Sequence, residues 1–128
     1  MPMPPTATPY HPRAHPPEKT AFIMAATGES VSFGTLERRA NQGAWLLRAE
    51  GIKPGDHIAI LMENRREMLE VCFAADRAGL YYTTISTHLN ESEIRYILGD
   101  CDARILIASD RFVPMLERSA KALSLIHI

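Results

Sequence analysis

Two short runs without polar side chains constrain the fold of this sequence more than any other feature. They are Ile58–Met62 (IAILM) and Ile105–Ala108 (ILIA). A strand with one solvated face alternates apolar and polar residues, whereas an uninterrupted apolar run is typical of a strand buried on both faces. Such strands belong to parallel sheets that are covered by helices on both sides. The sequence therefore predicts an α/β fold with a largely parallel sheet.

Helical patterns alternate with the strands, as an α/β layer requires. A first helix is predicted before Gly51 from five small or apolar residues at helical spacing: Leu36, Ala40, Gly43, Ala44 and Leu47. A second helix should follow the strand His57–Met62 and end at Gly79. Capping boxes are expected at the start of the second and third helices, formed by Asn64 with Glu67 and by Asn90 with Glu93.

The remaining elements are assigned from turn and cap residues. The runs Ala21–Met24 and Val31–Phe33 flank a turn at Gly28, which predicts an N-terminal hairpin. The third helix should run through Leu98 and stop at Gly99. The last helix is predicted over residues 111–123, capped by Ser109 or Asp110 and with Pro114 in its first turn.

The ends of the sequence differ from its middle. Residues 1–18 are rich in proline and lack the apolar segment of a secretory signal, so we expect an extended or disordered arm in which His11 and His15 are solvated. Residues 19–128 are expected to form the folded part. The last residues, Ser124–Ile128, resemble translated sequencing adapter, and we expect the chain to be truncated in its last helix.

Composition narrows the class of protein. The chain has 128 residues, a net charge of −1 and basic residues spread along its length, which argues against a nucleic-acid partner. No run approaches the roughly 18 apolar residues of a membrane-spanning helix. Cys72 and Cys101 lie far apart without metal-ligand spacing, so they are interpreted as reduced thiols in a cytoplasmic protein.

No complete catalytic or ligand-binding motif appears, so no catalytic, cofactor-binding or metal-binding residue is predicted. The sequence contains neither a phosphate-binding glycine loop nor a serine-nucleophile elbow. Neighbours such as Asp56 and His57 point to opposite sides of an extended chain. Helix caps and solvated faces account for the charged groups Glu63, Glu67 and Glu70, ERR at Glu37–Arg39 and NRRE at Asn64–Glu67.

One strand is unusual because it is rich in hydroxyl groups. Tyr81–Thr87 (YYTTIST) reads as a strand whose last part, Thr83–Thr87, leaves the sheet and leads to a helix cap. Hydroxyl groups at such a position can bond backbone groups that lose their ladder partners. His88 follows at the carboxyl end of this strand, where ligands bind in open α/β sheets. A packing or capping role for His88 is the preferred interpretation, and ligand contact is the alternative.

Three segments together resemble the adenylate-forming acyl-CoA synthetases, the AMP-binding superfamily. Ser32–Leu36 (SFGTL) is similar to the first core motif of that family, Gly51–Ile60 (GIKPGDHIAI) to its Gly-Asp-x-Val-Ala strand, and Arg77–Leu89 to its second core motif. Thr35 replaces the usual glutamate, which leaves Ser32 as the cap, and Thr84 replaces the usual proline. The segment Tyr81–Leu89 looks more like fatty-acid ligases than peptide-synthetase modules.

The resemblance implies the N-terminal part of the large domain of an ATP-dependent ligase. Such an enzyme converts a carboxylic acid, here a fatty acid, to an acyl-adenylate and then to a thioester, using ATP, CoA and Mg²⁺. Its Ser/Thr/Gly-rich ATP loop, its Thr-Glu segment and its catalytic lysine have no counterpart in these residues. We therefore expect the 128-residue chain to bind none of these cofactors and to be inactive. The assembly is left open between a monomer and a homodimer, and a small non-catalytic α/β binding module is the alternative function.

Overall fold

A computed structural model describes residues 12–118 and 124–127. The elements alternate as the sequence predicts, after a 3₁₀ turn at Pro12–Ala14 and with another at Asp110–Phe112. The strands are β1 Thr20–Ile23, β2 Ser30–Ser32, β3 His57–Leu61, β4 Tyr81–Ile85, β5 Ile105–Ala108 and β6 Ser124–His127. The helices are α1 Phe33–Ala49, α2 Arg66–Ala78, α3 Glu91–Asp100 and α4 Val113–Arg118.

The strands form two sheets, the predicted hairpin and the predicted parallel sheet, although β6 was not predicted as a strand. β1 and β2 pair antiparallel as a hairpin whose turn places Gly28 at a φ of 74°. The main sheet has the order β4-β3-β5-β6, and every neighbouring pair in it is parallel. The parallel α/β sheet inferred from the apolar runs is therefore confirmed.

Each face of the main sheet carries its own apolar core. Ile58 and Ile60 of β3 pack on the first face against α1 and α2, through residues such as Leu47 and Ala75. The alternate residues of β3 pack on the second face against α3 and α4. The second-face cluster consists of Ala59, Leu61, Ile85, Ile94, Leu106, Ala108, Phe112 and Leu116. The sheet lies between two helical layers, which explains why β3 and β5 contain no polar residue after His57 at the start of β3.

Three of the predicted helix ends are confirmed. The Ser32 hydroxyl accepts a hydrogen bond from the Thr35 N–H at 3.2 Å and begins α1. Gly51 and Gly79 adopt φ values of 83° and 73° directly after α1 and at the end of α2. The left-handed region is accessible to glycine at little cost, which is why both helices end there.

The predicted cap of α2 is wrong. The residue in the cap position is Arg65, not Asn64, and it makes no side-chain capping bond. The Glu67 carboxylate, which should have completed the box, instead accepts hydrogen bonds from the guanidinium groups of Arg65 at 2.9 Å and Arg66 at 3.3 Å. Ion pairing with two arginines thus replaces the expected bond to a backbone N–H.

The end of α3 also differs from the prediction, while its start agrees. Asn90 and Glu93 form the full capping box. Gly99 lies inside the helix rather than ending it, and the left-handed residue is Asp102, at a φ of 54°. The helix continues through Gly99 to Asp100. The chain then turns at Asp102, because aspartate adopts the left-handed conformation more readily than most residues.

The C-terminal part departs most from the sequence-based expectation. Ser109 precedes the 3₁₀ turn, but its side chain makes no capping bond. The helix expected over residues 111–123 is described only as α4, and its part from 119 to 123 lies outside the described residues. The residues interpreted as adapter include β6, which pairs with β5 in the main sheet. Parallel pairing with a buried neighbour supplies the backbone partners that a helix would otherwise provide.

Residues 12–18 of the proline-rich arm pack against the start of α1. Pro12 is buried, and the Gly34 N–H donates to the Pro17 carbonyl at 2.9 Å. The imidazole of His15 stacks on Phe33 with ring centres 4.2 Å apart, so this ring is held in place rather than solvated. His11 lies outside the described residues.

Charged side chains join α1 to α2. The sequence had suggested that ERR at Glu37–Arg39 faces water, but Glu37 and Arg39 pair with residues of α2. Arg77 of α2 forms two hydrogen bonds to the Glu37 carboxylate, one of them at 2.6 Å. The two side chains are only 15% and 19% exposed. Arg39 pairs with Glu70 at 2.8 Å. These pairs fix the relative position of the two helices on the first face.

Candidate functional site

The topology locates a crevice before any side chain is considered. β3 continues into α2 on the first face, whereas β5 continues into a turn and α4 on the second face. Chains that leave adjacent parallel strands toward opposite faces open a crevice outside the carboxyl ends of those strands, where ligands bind in open α/β sheets. Here the crevice lies between the segments that follow β3 and β5.

A cleft of about 540 Å³ lies at this end of the sheet, beside the carboxyl ends of β3 and β4, and Arg111 from the turn after β5 also lines it. Its lining combines apolar residues from the ends of β3 and β4 and from α2 with polar residues from the loops. The lining residues are Met62, Glu63, Asn64, Met68, Thr84, Ile85, Ser86, Thr87, His88 and Arg111. The predicted location of His88 at a cleft is therefore confirmed, and its role stays a prediction.

The charges at the mouth of the cleft are balanced. The Ser109 hydroxyl donates to the Glu63 carboxylate, and the Arg111 guanidinium lies 3.7 Å from the same carboxylate. The Ser109 hydrogen bond, opposed by burial and assisted by Arg111, lowers the pKa of Glu63. Glu63 is thus an anion with its own partners, and it joins the loop after β3 to the loop after β5.

Sequence reasoning missed this three-residue contact. Glu63 had been assigned to a solvated face and Ser109 to a helix cap. The available signal was position, because both residues come one or two places after a buried strand. Since the carboxyl ends of neighbouring parallel strands lie side by side, polar residues in those places are brought together.

The hydroxyl groups of the polar strand have several partners. The Ser86 hydroxyl accepts a hydrogen bond from the His88 N–H at 3.2 Å, which is the backbone role that was predicted. The Thr83 hydroxyl instead lies 2.6 Å from Nε2 of His57, so it joins β4 to β3. Thr84 and Thr87 line the cleft. The backbone role therefore holds for Ser86 and not for Thr83.

Asp56 and His57 were expected to point to opposite sides of the chain because they are neighbours in an extended segment. Their side chains do have different partners. The Asp56 carboxylate accepts from the Lys53 N–H at 2.9 Å and lies 3.5 Å from the Arg104 guanidinium. His57 contacts Thr83 and stacks near Tyr81 with ring centres 6.3 Å apart. Both residues lie at the amino ends of the strands, away from the cleft.

The described residues do not fit ATP with Mg²⁺. Within residues 12–118 and 124–127, no three histidine, cysteine or acidic side chains come close enough to hold a metal ion. The cationic group at the cleft, Arg111, is balanced by Glu63. Glu67 and Glu70 are paired with arginines.

No helix in the described part of the chain is long and apolar enough to cross a membrane.

The comparison with known protein families decides the assignment. The model of the AMP-binding enzyme family matches residues 10–127, which is nearly the whole chain. The chain belongs to the AMP-binding enzyme family. The resemblance inferred from the three sequence segments is thereby confirmed, and the α/β layer described above is part of an AMP-binding fold.

Relatives within the family carry different names. The chain is 34% identical over 91 residues to tyrocidine synthase 2 of Brevibacillus parabrevis, covering 71% of this chain and 2% of the relative. It is 29% identical over 105 residues to the fatty acid–[acyl-carrier-protein] ligase ScoC of Streptomyces coeruleorubidus, covering 82% and 20%. Sequence identity alone therefore does not separate the relatives named as synthases from those named as ligases.

Solved structures agree with the family assignment. The chain superposes on the anthranilate CoA ligase AuaEII, which was crystallised with anthranoyl-AMP, with a TM-score of 0.83. The sequence identity is 27%, and the match covers 93% of this chain and 24% of that one. The chain thus spans at most about a third of the first solved relatives, and a fifth or less of the first curated ones.

Proposed function

We propose that this chain is the N-terminal part of an ATP-dependent acyl-CoA ligase that activates a carboxylic acid of the fatty-acid class. The family match over residues 10–127 carries the proposal. The resemblance of Tyr81–Leu89 to fatty-acid ligases and the name of the ScoC relative support the choice of acid. A cytoplasmic enzyme that uses ATP, CoA and Mg²⁺ follows from the same resemblance.

Within that enzyme, these residues would form a structural layer and one wall of a cleft rather than a reaction centre. Glu63 accepts a hydrogen bond from Ser109 and lies 3.7 Å from the Arg111 guanidinium, so it would hold the loops after β3 and β5 together. Bound ATP and Mg²⁺ would supply the leaving group and charge screening, but the residues described here do not fit them. Those groups would bind polypeptide outside this sequence.

Exposed apolar side chains support a role as a layer within a larger domain. Trp45 and Leu46 on α1 are 68% and 49% exposed. Leu46 also lines a groove of about 160 Å³ between α1 and α2 whose surface is mainly apolar. Exposed apolar surface of this kind marks a contact with another part of a protein. We expect further polypeptide of the ligase to cover it.

The first test is pyrophosphate exchange dependent on a fatty acid. The purified 128-residue chain should show none, because it lacks groups that fit the nucleotide. Exchange above background by the chain alone would refute the proposed role as an inactive part of a ligase.

A chimera tests the positive half of the proposal. Residues 19–118 replace the matching segment of the anthranilate CoA ligase, and thioester formation from anthranilate is measured. We expect the chimera to be active and the ligase lacking that segment to be inactive. A chimera that folds but has no activity, together with a stable monomeric 128-residue chain, would instead favour the small α/β binding module.

A further inference from the structure

The proline-rich arm before β1 contains a small compact piece that docks on α1. Pro12 is buried and begins a 3₁₀ turn, which is closed by the His15 N–H donating to the Pro12 carbonyl at 3.3 Å. A second turn, in which the Lys19 N–H donates to the Pro16 carbonyl at 3.0 Å, separates this piece from β1. Residues 12–17 therefore form a structural unit of their own, here called the strap.

The strap is joined to α1 by little backbone hydrogen bonding. Pro12, Pro16 and Pro17 have no backbone N–H to donate. In the part of the chain that the structure describes, one backbone hydrogen bond joins the strap to α1, from the Gly34 N–H to the Pro17 carbonyl at 2.9 Å. β1, in contrast, pairs with β2 in a hairpin. The strap can therefore leave α1 without breaking a strand ladder.

Side chains of the strap contact two residues of α1. The His15 ring stacks on the ring of Phe33. The Arg13 guanidinium lies 2.8 Å from the Glu37 carboxylate, but the Arg13 side chain is 70% exposed. Exposed ion pairs contribute little to stability, because water and dissolved ions screen them. Glu37 also accepts hydrogen bonds from Arg77 of α2, and these do not involve the strap.

Gly34 provides the space in which the strap docks. A Cβ atom at this position would lie 3.0 Å from Cβ of Pro17 and 3.1 Å from its carbonyl oxygen, which is closer than such atoms normally approach. Gly34 has helical backbone angles, so a side chain there is compatible with α1 itself. A larger residue at Gly34 should therefore displace the strap and leave the helix intact.

We propose that the strap is a conformational device that docks on the start of α1 and releases from it as a unit, while β1 stays paired with β2 and α1 stays packed on α2. Segments with few buried apolar contacts and exposed hydrogen bonds open at a lower free energy than the whole fold. Release uncovers the ring of Phe33 and the Gly34 N–H, and it makes the bond after Arg13 accessible to proteases. The strap thereby controls access to the start of α1.

Native-state hydrogen exchange tests the release in the unaltered 128-residue chain. The first N–H groups of a helix have no partner within the helix, so protection of the Gly34 amide reports on its bond to the strap. This amide should exchange with little dependence on urea. The Ala40 amide, in the interior of α1, should exchange only when the whole fold opens, with a steep dependence on urea.

The neighbouring Phe33 amide is the internal control. It donates to the Lys19 carbonyl at 2.9 Å, outside the strap, and should stay protected while the Gly34 amide exchanges. The same urea dependence at Gly34 and Ala40 would overturn the proposal, because the arm would then open only with the whole fold. Joint exchange of Phe33 and Gly34 would equally overturn release of the strap as a unit.

Two pairs of variants test the contacts by limited proteolysis with trypsin. Gly34→Leu should raise the rate of cleavage after Arg13 about tenfold or more, because this rate follows the population of the released form. Gly99→Leu, where a Cβ atom has no neighbour within 4 Å, should leave the rate unchanged. His15→Ala removes the stacking on Phe33 and should raise the rate by a smaller factor, with His88→Ala in the loop after β4 as its control.

Circular dichroism and urea denaturation check that each variant is folded. Gly34→Leu should keep a cooperative unfolding transition close to that of the original chain, because release leaves both apolar cores in place. If Gly34→Leu does not fold, His15→Ala and the exchange measurement still decide. A folded Gly34→Leu chain that trypsin cleaves after Arg13 no faster than the original chain would show that the strap is not a docked, releasable segment.

Discussion

On the first face of the sheet α1 and α2 lie tightly against each other, whereas on the second face α3 and α4 bring large apolar side chains to the strands. A Cβ atom added at Gly43 of α1 would lie 2.8 Å from Cβ of Ala74 in α2. On the second face, Ile94 of α3 and Leu116 of α4 join a cluster with Leu106 of β5. The first layer thus adds a close helix–helix contact and charge pairs to its apolar core, whereas the second layer relies on burial of large side chains.

The contrast shows that two helical layers on one sheet can depend on different physical terms. Close approach of α1 and α2 leaves no room for a larger residue at Gly43 beside Ala74, and charged residues of the two helices pair across the contact. The second layer has larger residues whose contribution grows with the apolar area removed from water. A substitution that lowers the free energy of unfolding in one layer should therefore have little effect when the same change is made at an exposed position of the other layer.

The largest effect is expected for Ile94→Ala on the second face. Ile94 is 1% exposed, so its truncation removes a buried side chain and leaves a cavity, at a cost of about 2–5 kcal/mol in the free energy of unfolding. Urea denaturation measures this cost. Tyr96→Ala, at an exposed position of the same helix, is the control and should stay within about 0.5 kcal/mol of the original chain.

Gly43→Leu tests the close contact on the first face. The side chain would have to push α1 away from α2, at a cost of about 1–3 kcal/mol or more. Gly99→Leu is the matched control, because a Cβ atom at Gly99 of α3 has no neighbour within 4 Å. It should be neutral or slightly stabilising in the same denaturation measurement. Equal losses in both variants would contradict the proposed difference between the layers.

Glu37→Gln tests the charge pair of the first face through its pH dependence. Hydrogen bonds from Arg77, opposed by burial and assisted by Arg13, lower the pKa of Glu37 from 4.5 to about 2. Because the folded pKa is depressed, the stabilisation is complete above pH about 4.5 and is lost as the pH falls through about 2.

The original chain should therefore exceed Glu37→Gln by on the order of 1–2 kcal/mol at neutral pH. This difference should shrink steadily as the solution is acidified toward pH 2. Glu50→Gln, at the exposed C-terminal end of α1, is the control for removing one negative charge. A Glu37→Gln difference that stays constant over the acidic range would contradict the pairing with Arg77.

The smallest effect concerns the two predicted capping boxes, one in each layer. Asn90→Ala at the start of α3 should cost about 0.5–2 kcal/mol, because its side chain accepts the Glu93 N–H. Asn64→Ala, before α2, should change stability by less than about 0.5 kcal/mol, since Arg65 occupies the cap position. Thermal melting of both variants gives the comparison, and equal costs would restore the sequence-based assignment.

Prediction from sequence succeeded where one local cause decides the structure. The apolar runs at Ile58–Met62 and Ile105–Ala108 identified buried parallel strands, and the Asn90–Glu93 spacing identified a capping box. It failed at Asn64, where two arginines compete for Glu67, and at Gly99, where a usual stop residue remains helical. In those places several local conformations are close in free energy, and contacts with neighbouring side chains decide which one forms.

The order of apolar and polar residues by itself determined the parallel α/β class and, through three short segments, the resemblance to the AMP-binding family. Only the tertiary structure decided that Ser109 and Arg111 both meet Glu63 beside the cleft, and that β4 lies at the end of the sheet formed by the described strands. Periodicity reports which face of an element is buried, because burial depends on local spacing. Strand order and the meeting of distant loops depend on pairings across the chain, which local spacing does not encode.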